Sequence, residues 1–347
     1  MRVNNVANLS EEEAFFKFIK FRWPDENKIE CPDCKHIGSV YYKLARKQLR
    51  CKVCLRDFSP TSGTPFAKRK LPLKKLLYII HSFVSSPKGC AANQLHSAIG
   101  VTLRTAYLNM MKLKEVMFHT QDKTPMCGIV QIDGGHFCGK PRRSRKRQKT
   151  DSYVVNSKLR NRKDAIVPDL KTHPEPWNIK KLQKRRIVLV LKELYLDKNK
   201  KGAFKTITTV VKAEDTKSVM SFVPKHVTKG SVIQTDGGVA YKQLPLYYDH
   251  QWVNHKVEYQ TDDGVNNNQA ESFISRFRRG EYGVYHGMRP QYFAFYASEF
   301  AWREDAKEIT LSQKLTNLMH SVMKSKPSIA FTNYCRGQRL GFEYLGV

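Results

Sequence analysis

The chain has 347 residues, 41% of them hydrophobic, and carries 61 Lys and Arg against 31 Asp and Glu, a formal net charge of +30. The hydrophobic share excludes wholesale disorder, the length leaves room for two or three domains, and so large a positive excess, which no fold requires, points to a polyanionic partner. No apolar run approaches the roughly 18 residues needed to span a bilayer, and MRVNNVANLSEEEAFF lacks the basic-then-apolar order of a secretory signal, so the expectation is no membrane and a cytoplasmic location, with the nucleic acid.

Ser10 and Glu13 stand at capping-box spacing, and Phe15, Phe16, Ile19 and Trp23 follow at helical intervals, which predicts a short amphipathic helix. Eight cysteines in a chain of this size do not suggest a disulfide scaffold. Cys31-Pro-Asp-Cys34, sixteen residues and Cys51-Lys-Val-Cys54 instead form a four-cysteine zinc pattern. Four thiolates leave no open position, so the one Zn²⁺ they predict is structural. Ser59 to Lys70 is rich in turn residues, and Leu73, Leu76, Leu77, Ile80 and Phe83 then mark a helix over Pro72 to Phe83.

Ala91 to Ile99 and Thr102 to Met117 read as two helices broken at Gly100-Val101, the grammar of a helix-turn-helix. Near the start of the second, Thr102, Arg104, Thr105 and Asn109 could reach base edges, with Leu103, Ala106, Leu108 and Met110 left for packing. From Gly128 the pattern turns to strands. Ile129 to Ile132 lead into Asp133; then come Arg186 to Leu194, Phe204 to Ala213 and Ser231 to Asp236, with a helix over Thr216 to Val223 before the last. Three strands, a helix and a further strand predict an α/β, RNase H-like mixed sheet flanked by helices.

Between the first two of these strands lies an insertion, residues 140–185, that opens KPRRSRKRQK and shows no clear periodicity. Seven of the ten residues from Lys140 to Lys149 are basic and none is acidic, and Arg142, Arg143, Arg145, Lys146 and Arg147 are placed to grip a phosphate backbone near Asp133. A strand is predicted around His250 to Val257. In NNNQAESFISRFRRG, Asn268 and Glu271 share one face of a helix, with Arg278 on the same side and Arg279 beside it, while Phe273 and Phe277 form a separate apolar stripe. Gln291 to Glu304 reads as another amphipathic helix, and from Ile309 onward nothing signals chemistry.

Asp133 and Asp236 each open an Asp-Gly-Gly step at a strand end, and Glu271 starts a later helix. Isolated Asp-Gly pairs are ordinarily turns, but three carboxylates from different elements are what two Mg²⁺ ions need in phosphodiester chemistry, with Mn²⁺ as a substitute. Asp133 is expected to bridge both ions, Asp236 and Glu271 to complete one each, and Asn268 to orient the nucleophile or a phosphate oxygen.

CPDC with CKVC, FSPTSGTPFAKRKLPL, KGCAANQLHSAIGVTLRTAY, QIDGGHF, TDGGVAY, VNH, NNNQAESFISRFRRG, GVYH and EFAWRED together resemble the bacterial insertion-sequence transposases related to the Merlin superfamily, over most of the chain. The resemblance implies an RNase H-like DDE core, DNA cleavage and strand transfer at terminal inverted repeats, and Asp133, Asp236 and Glu271 in the places of the acidic triad. Cys138 stands where the family usually shows a glycine. The domain reading is an N-terminal helix (1–26), a zinc ribbon (27–62), a helix-turn-helix (63–124), the catalytic core (125–308) and a C-terminal tail (309–347). The partners expected are double-stranded DNA, as element ends and target, and further copies of the chain in a homodimer or larger assembly that pairs two ends. A regulator that binds DNA without cutting it, and a nuclease that does not join strands, are the alternatives.

Overall fold

The structure, a computed structural model, describes residues 6–138, 185–197, 199–200, 202–253 and 265–346. Arg142, Arg143, Arg145, Lys146 and Arg147 lie outside the described residues, and the strand predicted to reach Val257 is described only as far as Val253.

Helix α1 (Glu11–Arg22) starts at the expected capping box, in which the Ser10 hydroxyl accepts from the Glu13 N–H and the Glu13 carboxylate accepts from the Ser10 N–H. Its buried stripe is Ala14, Phe15, Phe18 and Ile19; Phe16, predicted within it, is exposed, because position 18 completes the helical spacing from 15 and position 16 does not. Strands β1 (Val40–Lys43), β2 (Gln48–Cys51) and β3 (Asp57–Phe58) form a small antiparallel sheet. The two cysteine pairs sit on matching knuckles: Lys35 N–H donates to the Cys31 carbonyl and Leu55 N–H to that of Cys51, with Lys35 and Leu55 both at positive φ. Cys31 and Cys54 Sγ lie 3.7 Å apart and Cys34 and Cys51 Sγ 3.6 Å apart, and all four sulfurs fall within 4.8 Å of one another. A tetrahedral ion with Zn–S bonds of about 2.3 Å requires sulfurs roughly 3.8 Å apart, so these residues fit a zinc ion with no coordination position to spare.

Helices α2 (Leu73–Ser85), α3 (Ala92–Ile99) and α4 (Leu103–Thr120) follow. Pro72 gives α2 no side-chain cap; the Glu11 carboxylate of α1 supplies one, accepting from the Leu73 and Lys74 N–H groups at 2.6 and 2.9 Å. Gly100 ends α3 in the left-handed conformation (φ 58°), and the Thr102 hydroxyl caps α4 by accepting from the Thr105 N–H. Ala106 and Met110 are buried as predicted, whereas Leu103 is 47% exposed at the start of α4. The turn-rich stretch 59–70 is itself packed, with Thr61, Thr64 and Phe66 buried. Ile29, Leu49 and Phe58 of the ribbon share one apolar core with α1, α2, α4 and the C-terminal helix α8 (Leu311–Lys324), which contributes Leu315, Leu318, Met319 and Val322.

The large sheet holds β4 (Ile129–Cys138), β5 (Arg185–Leu194), β6 (Ala203–Val211), β7 (Val232–Thr235) and β8 (Asp249–Trp252) in the order β6-β5-β4-β7-β8. β6, β5 and β4 pair antiparallel, and β4, β7 and β8 parallel, giving the mixed sheet expected. β5 is buried on both faces, which explains its unbroken apolar run. Ile187, Leu189 and Leu191 pack under α5 (Thr216–His226), and Val188 and Val190 face α6 (Asn268–Gly280) and α7 (Phe293–Asp305).

Helix α7, which carries EFAWRED, ties the two cores together with buried charge. Glu299, fully buried, accepts from Lys114 Nζ of α4 at 2.8 Å, from Arg303 Nε and Nη2 at 3.0 and 2.8 Å, and from the Tyr285 hydroxyl. Arg303 also donates to the Phe83 and Ser86 carbonyls at the end of α2. Burial works to raise the Glu299 carboxyl, yet Lys114 and Arg303 hold it below its usual range; burial in turn pushes Lys114 down to about 8. One turn on, Glu304 pairs with Lys192 of β5 and Arg276 of α6. Residues 326–346 then run back over the sheet. Glu115 of α4 accepts from the Ile329 and Ala330 N–H groups, Glu343 forms a two-pronged pair with Arg186, and Gly346 N–H donates to the Val210 carbonyl.

Two outcomes follow from this packing. Purified protein should hold one zinc per chain, and Cys54→Ser should lose it and lower the melting temperature of the whole N-terminal core; a zinc-free preparation with unchanged melting would remove the structural ion. Glu299→Ala leaves two buried cations unmatched and should cost about 3–5 kcal/mol in denaturant unfolding, and a loss below about 1 kcal/mol would mean that the cluster does not couple the cores.

Candidate active site

Register decides where the first two acids stand. Gln131 of β4 lies opposite Gln234 of β7 on parallel strands, so two residues further along both strands Asp133 comes beside Asp236, which directly follows β7. Asp133 is not at a strand end, as the Asp-Gly-Gly pattern suggested: β4 continues through Gly134 and Gly135 to Cys138, paired throughout with β5. Asp236, by contrast, does end its strand; it is exposed, and its Oδ1 accepts from the Gly238 N–H.

The third acid arrives on α6, whose first turn holds Asn268 and Glu271. A row of amides pins that turn to the sheet. Gln131 Nε2 donates to Gln234 Oε1 at 3.1 Å and to the Asn266 carbonyl at 2.7 Å, Gln131 Oε1 accepts from the Gln269 N–H at 2.8 Å, and Gln234 donates on to Gln251 of β8. Ala270, Phe273, Ile274 and Phe277 form the buried face of α6, with the Phe277 ring 4.6 Å from that of Phe137 on β4. Gly135 is what lets the helix come so near: a Cβ there would lie 2.7 Å from Ile274. Asn268 is exposed at the head of the helix, and Arg278 and Arg279 are exposed at its far end, Arg278 over the Phe137 ring at 5.9 Å.

Burial, and the neighbouring charges of Asp236, Glu214 and Glu271, push the Asp133 carboxyl up to about 7, while the Gly134 N–H opposes them. Asp133 therefore feels the charge of both other predicted carboxylates. The three are more widely spread than the cysteines, since among the described residues no acidic group meets the 4.8 Å mutual spacing of the four sulfurs. Carboxylate oxygens around a buried Asp133 are the hard donors that divalent cations such as Mg²⁺ take, and a cation held there would offset the neighbouring charges that Asp133 feels.

Glu214 carries no motif and had no place in the sequence reading. It lies between β6 and α5 on the sheet face opposite α6, where its carboxylate accepts from the Tyr241 hydroxyl at 2.9 Å and meets His136 Nε2 at 3.3 Å. A Cβ on Gly134 would overlap that carboxylate. A glycine inside a strand signals close approach by another group, and Gly134 was therefore the available clue. These residues open onto a cleft of about 490 Å³ lined by His136, Arg185, Lys212, Glu214, Asp236 and Tyr241.

The predicted recognition residues lie away from this cleft, on α4. Thr102 and Arg104 are exposed, Thr105 and Asn109 half-buried; Thr102 is occupied as the helix cap and the Asn109 amide donates to the Thr105 carbonyl. No helix of the described residues is long and apolar enough to cross a membrane.

Residues 9–57 match the transposase zinc-ribbon domain and residues 125–305, more than half the chain, the ISXO2-like transposase domain. An uncharacterized protein in transposable element ISH50 of Halobacterium salinarum is 24% identical over 127 residues, 36% of this chain and 41% of that protein. The match thus spans about two-fifths of that relative's length. Four thiolates on paired knuckles, a mixed sheet bringing acids from three elements together and the span of the family match lead to one conclusion: the chain belongs to the ISXO2-like transposase family.

Proposed function

We propose that the chain binds the terminal inverted repeats of its insertion sequence and cuts and joins DNA there through a pair of Mg²⁺ ions held by Asp133, Asp236 and Glu271. The observation that carries this reading is the approach of Asp236 and Glu271 to Asp133, by strand register for the first and by the amide clasp on α6 for the second, with the Asp133 carboxyl raised by burial and by their charge. When bound, the ions would stabilise charge on the phosphoryl oxygens and activate the attacking water or 3′-hydroxyl.

The chain's own residues do the rest. Asp133, held within β4 by its pairing with Val190 of β5, would be the shared ligand, and Asp236 and Glu271 would each complete the oxygen shell of one ion. Asn268, exposed one turn before Glu271, orients the nucleophile or a phosphate oxygen. Thr102, Arg104, Thr105 and Asn109 on α4 read the duplex, and Arg278 and Arg279 hold phosphates at the end of α6 away from Glu271. Arg142, Arg143, Arg145, Lys146 and Arg147 belong to an insertion that leaves the sheet after Cys138 and returns at Arg185, two residues paired at the same end of the sheet. Two chains or more act together, because two element ends must be joined.

With DNA carrying the element ends and Mg²⁺, Asp236→Asn and Glu271→Gln should each lower cleavage by at least about a hundredfold while duplex binding persists; cleavage at the parental rate in either variant would remove that residue from the site. A second measurement needs no turnover. The raised Asp133 carboxyl means that the folded chain holds this proton more tightly than the unfolded one, so ionising it costs stability above about pH 7 and nothing near pH 3, where both states are protonated. Asp133→Asn should therefore raise the melting temperature of magnesium-free protein at pH 8, lose most of that advantage near pH 4, and be overtaken by the parent when Mg²⁺ is added at pH 8. A variant less stable than the parent at pH 8 without Mg²⁺ would show that the carboxylates do not crowd one another.

A further inference from the structure

The cleft on the α5 side of the sheet has basic side chains at its rim that the proposed metal chemistry does not use. His136 is half-exposed, and Arg185 and Lys212 are exposed, at the ends of β4, β5 and β6. Asp236 lines the same cleft, so anything seated there lies against one of the three acids. Glu214 is held in place from several directions. The Tyr241 hydroxyl, on a side chain 1% exposed, donates to its Oε1; the imidazole Nε2 of His136 meets its Oε2; and position 134 is a glycine whose missing Cβ leaves room for the carboxylate. A carboxylate fixed at both oxygens fixes the imidazole in turn. With Nε2 directed at Glu214, Nδ1 is the ring nitrogen left for another partner, and a protonated ring would donate from it to an anion.

We propose that this cleft is a phosphodiester-binding subsite for the DNA strand that crosses the acids, with His136, Arg185 and Lys212 as the anion-binding groups and Glu214 as the residue that positions His136. The proposal rests on the reading of the chain as a DNA-cutting enzyme, and adds to it a second, metal-independent grip beside Asp236. A volume of about 490 Å³ suits one or two nucleotides of backbone rather than a duplex about 20 Å across. The subsite contacts phosphate alone, so it should contribute affinity without sequence preference.

The test is fluorescence anisotropy of the full chain on a duplex about three helical turns long, with Ca²⁺ in place of Mg²⁺ so that binding is read without turnover. His136→Gln and Glu214→Gln should each weaken binding about three- to tenfold, and the double variant should be no weaker than His136→Gln alone, because both changes remove the same contact. Lys212→Gln should reduce the slope of log affinity against log salt by about 0.9, one phosphate contact. Melting temperatures measured alongside separate positioning from folding: a Glu214→Gln that melts earlier but binds as the parent does would make Glu214 merely structural and overturn the proposal. So would additive losses in the double variant, or unchanged affinity in both single ones. If Asp236→Asn still cleaves while these binding losses appear, the metal site is what fails and the subsite stands.

Discussion

Gln131 and Gln234 face one another on parallel strands, and the consequences of that register run through the acidic end of the sheet. Two residues on, it sets Asp133 beside Asp236; at the same position, the Gln131 amide reaches up to clasp the start of α6 and so fixes the height of Glu271. A slip of one residue in either strand would turn its acid to the opposite face and leave the amide without its partners. The site is thus built from backbone pairing and neutral hydrogen bonds.

The two glycines after Asp133 show the same economy of means. Gly135 thins the strand on one face so that α6 can close on it through Ile274, and Gly134 thins it on the other so that Glu214 can approach. One strand therefore receives a helix bearing an acid from above and a carboxylate bound to Tyr241 and His136 from below. A side chain at either position would push one of these partners away.

Charge is divided between inside and outside in a way the net value of +30 conceals. Many of the acids serve as internal ties: Glu11 caps α2, Glu115 anchors the segment after α8, Glu299 gathers Lys114, Arg303 and Tyr285, and Glu304 joins β5 to α6. The same ties join the zinc-bearing core to the large sheet, because Lys114 and Glu115 sit on the helix whose first turn carries Thr102 and Arg104. That helix is tied to α7 through Lys114, and α7 in turn, through the Glu304–Arg276 pair, to the helix of Glu271.

Local chemistry was legible from residues alone. Cysteine spacing gave the thiolate cluster, the capping box at Ser10 and the glycine at position 100 gave helix ends, and β-branched runs gave strands, because each is governed by neighbours within a few positions in the chain. The identities of Asp133, Asp236 and Glu271 could be nominated in the same way. Their convergence could not, since pairing of β4 with β7 joins residues about a hundred positions apart and leaves no trace in local composition. Glu214 escaped notice for that reason, having no spacing of its own, and Phe16 and Leu103 turned outward because tertiary packing, not apolar character, chose the buried face. Sequence settled which groups were available and which short segments would form; long-range strand register and helix docking decided which of those groups share a space.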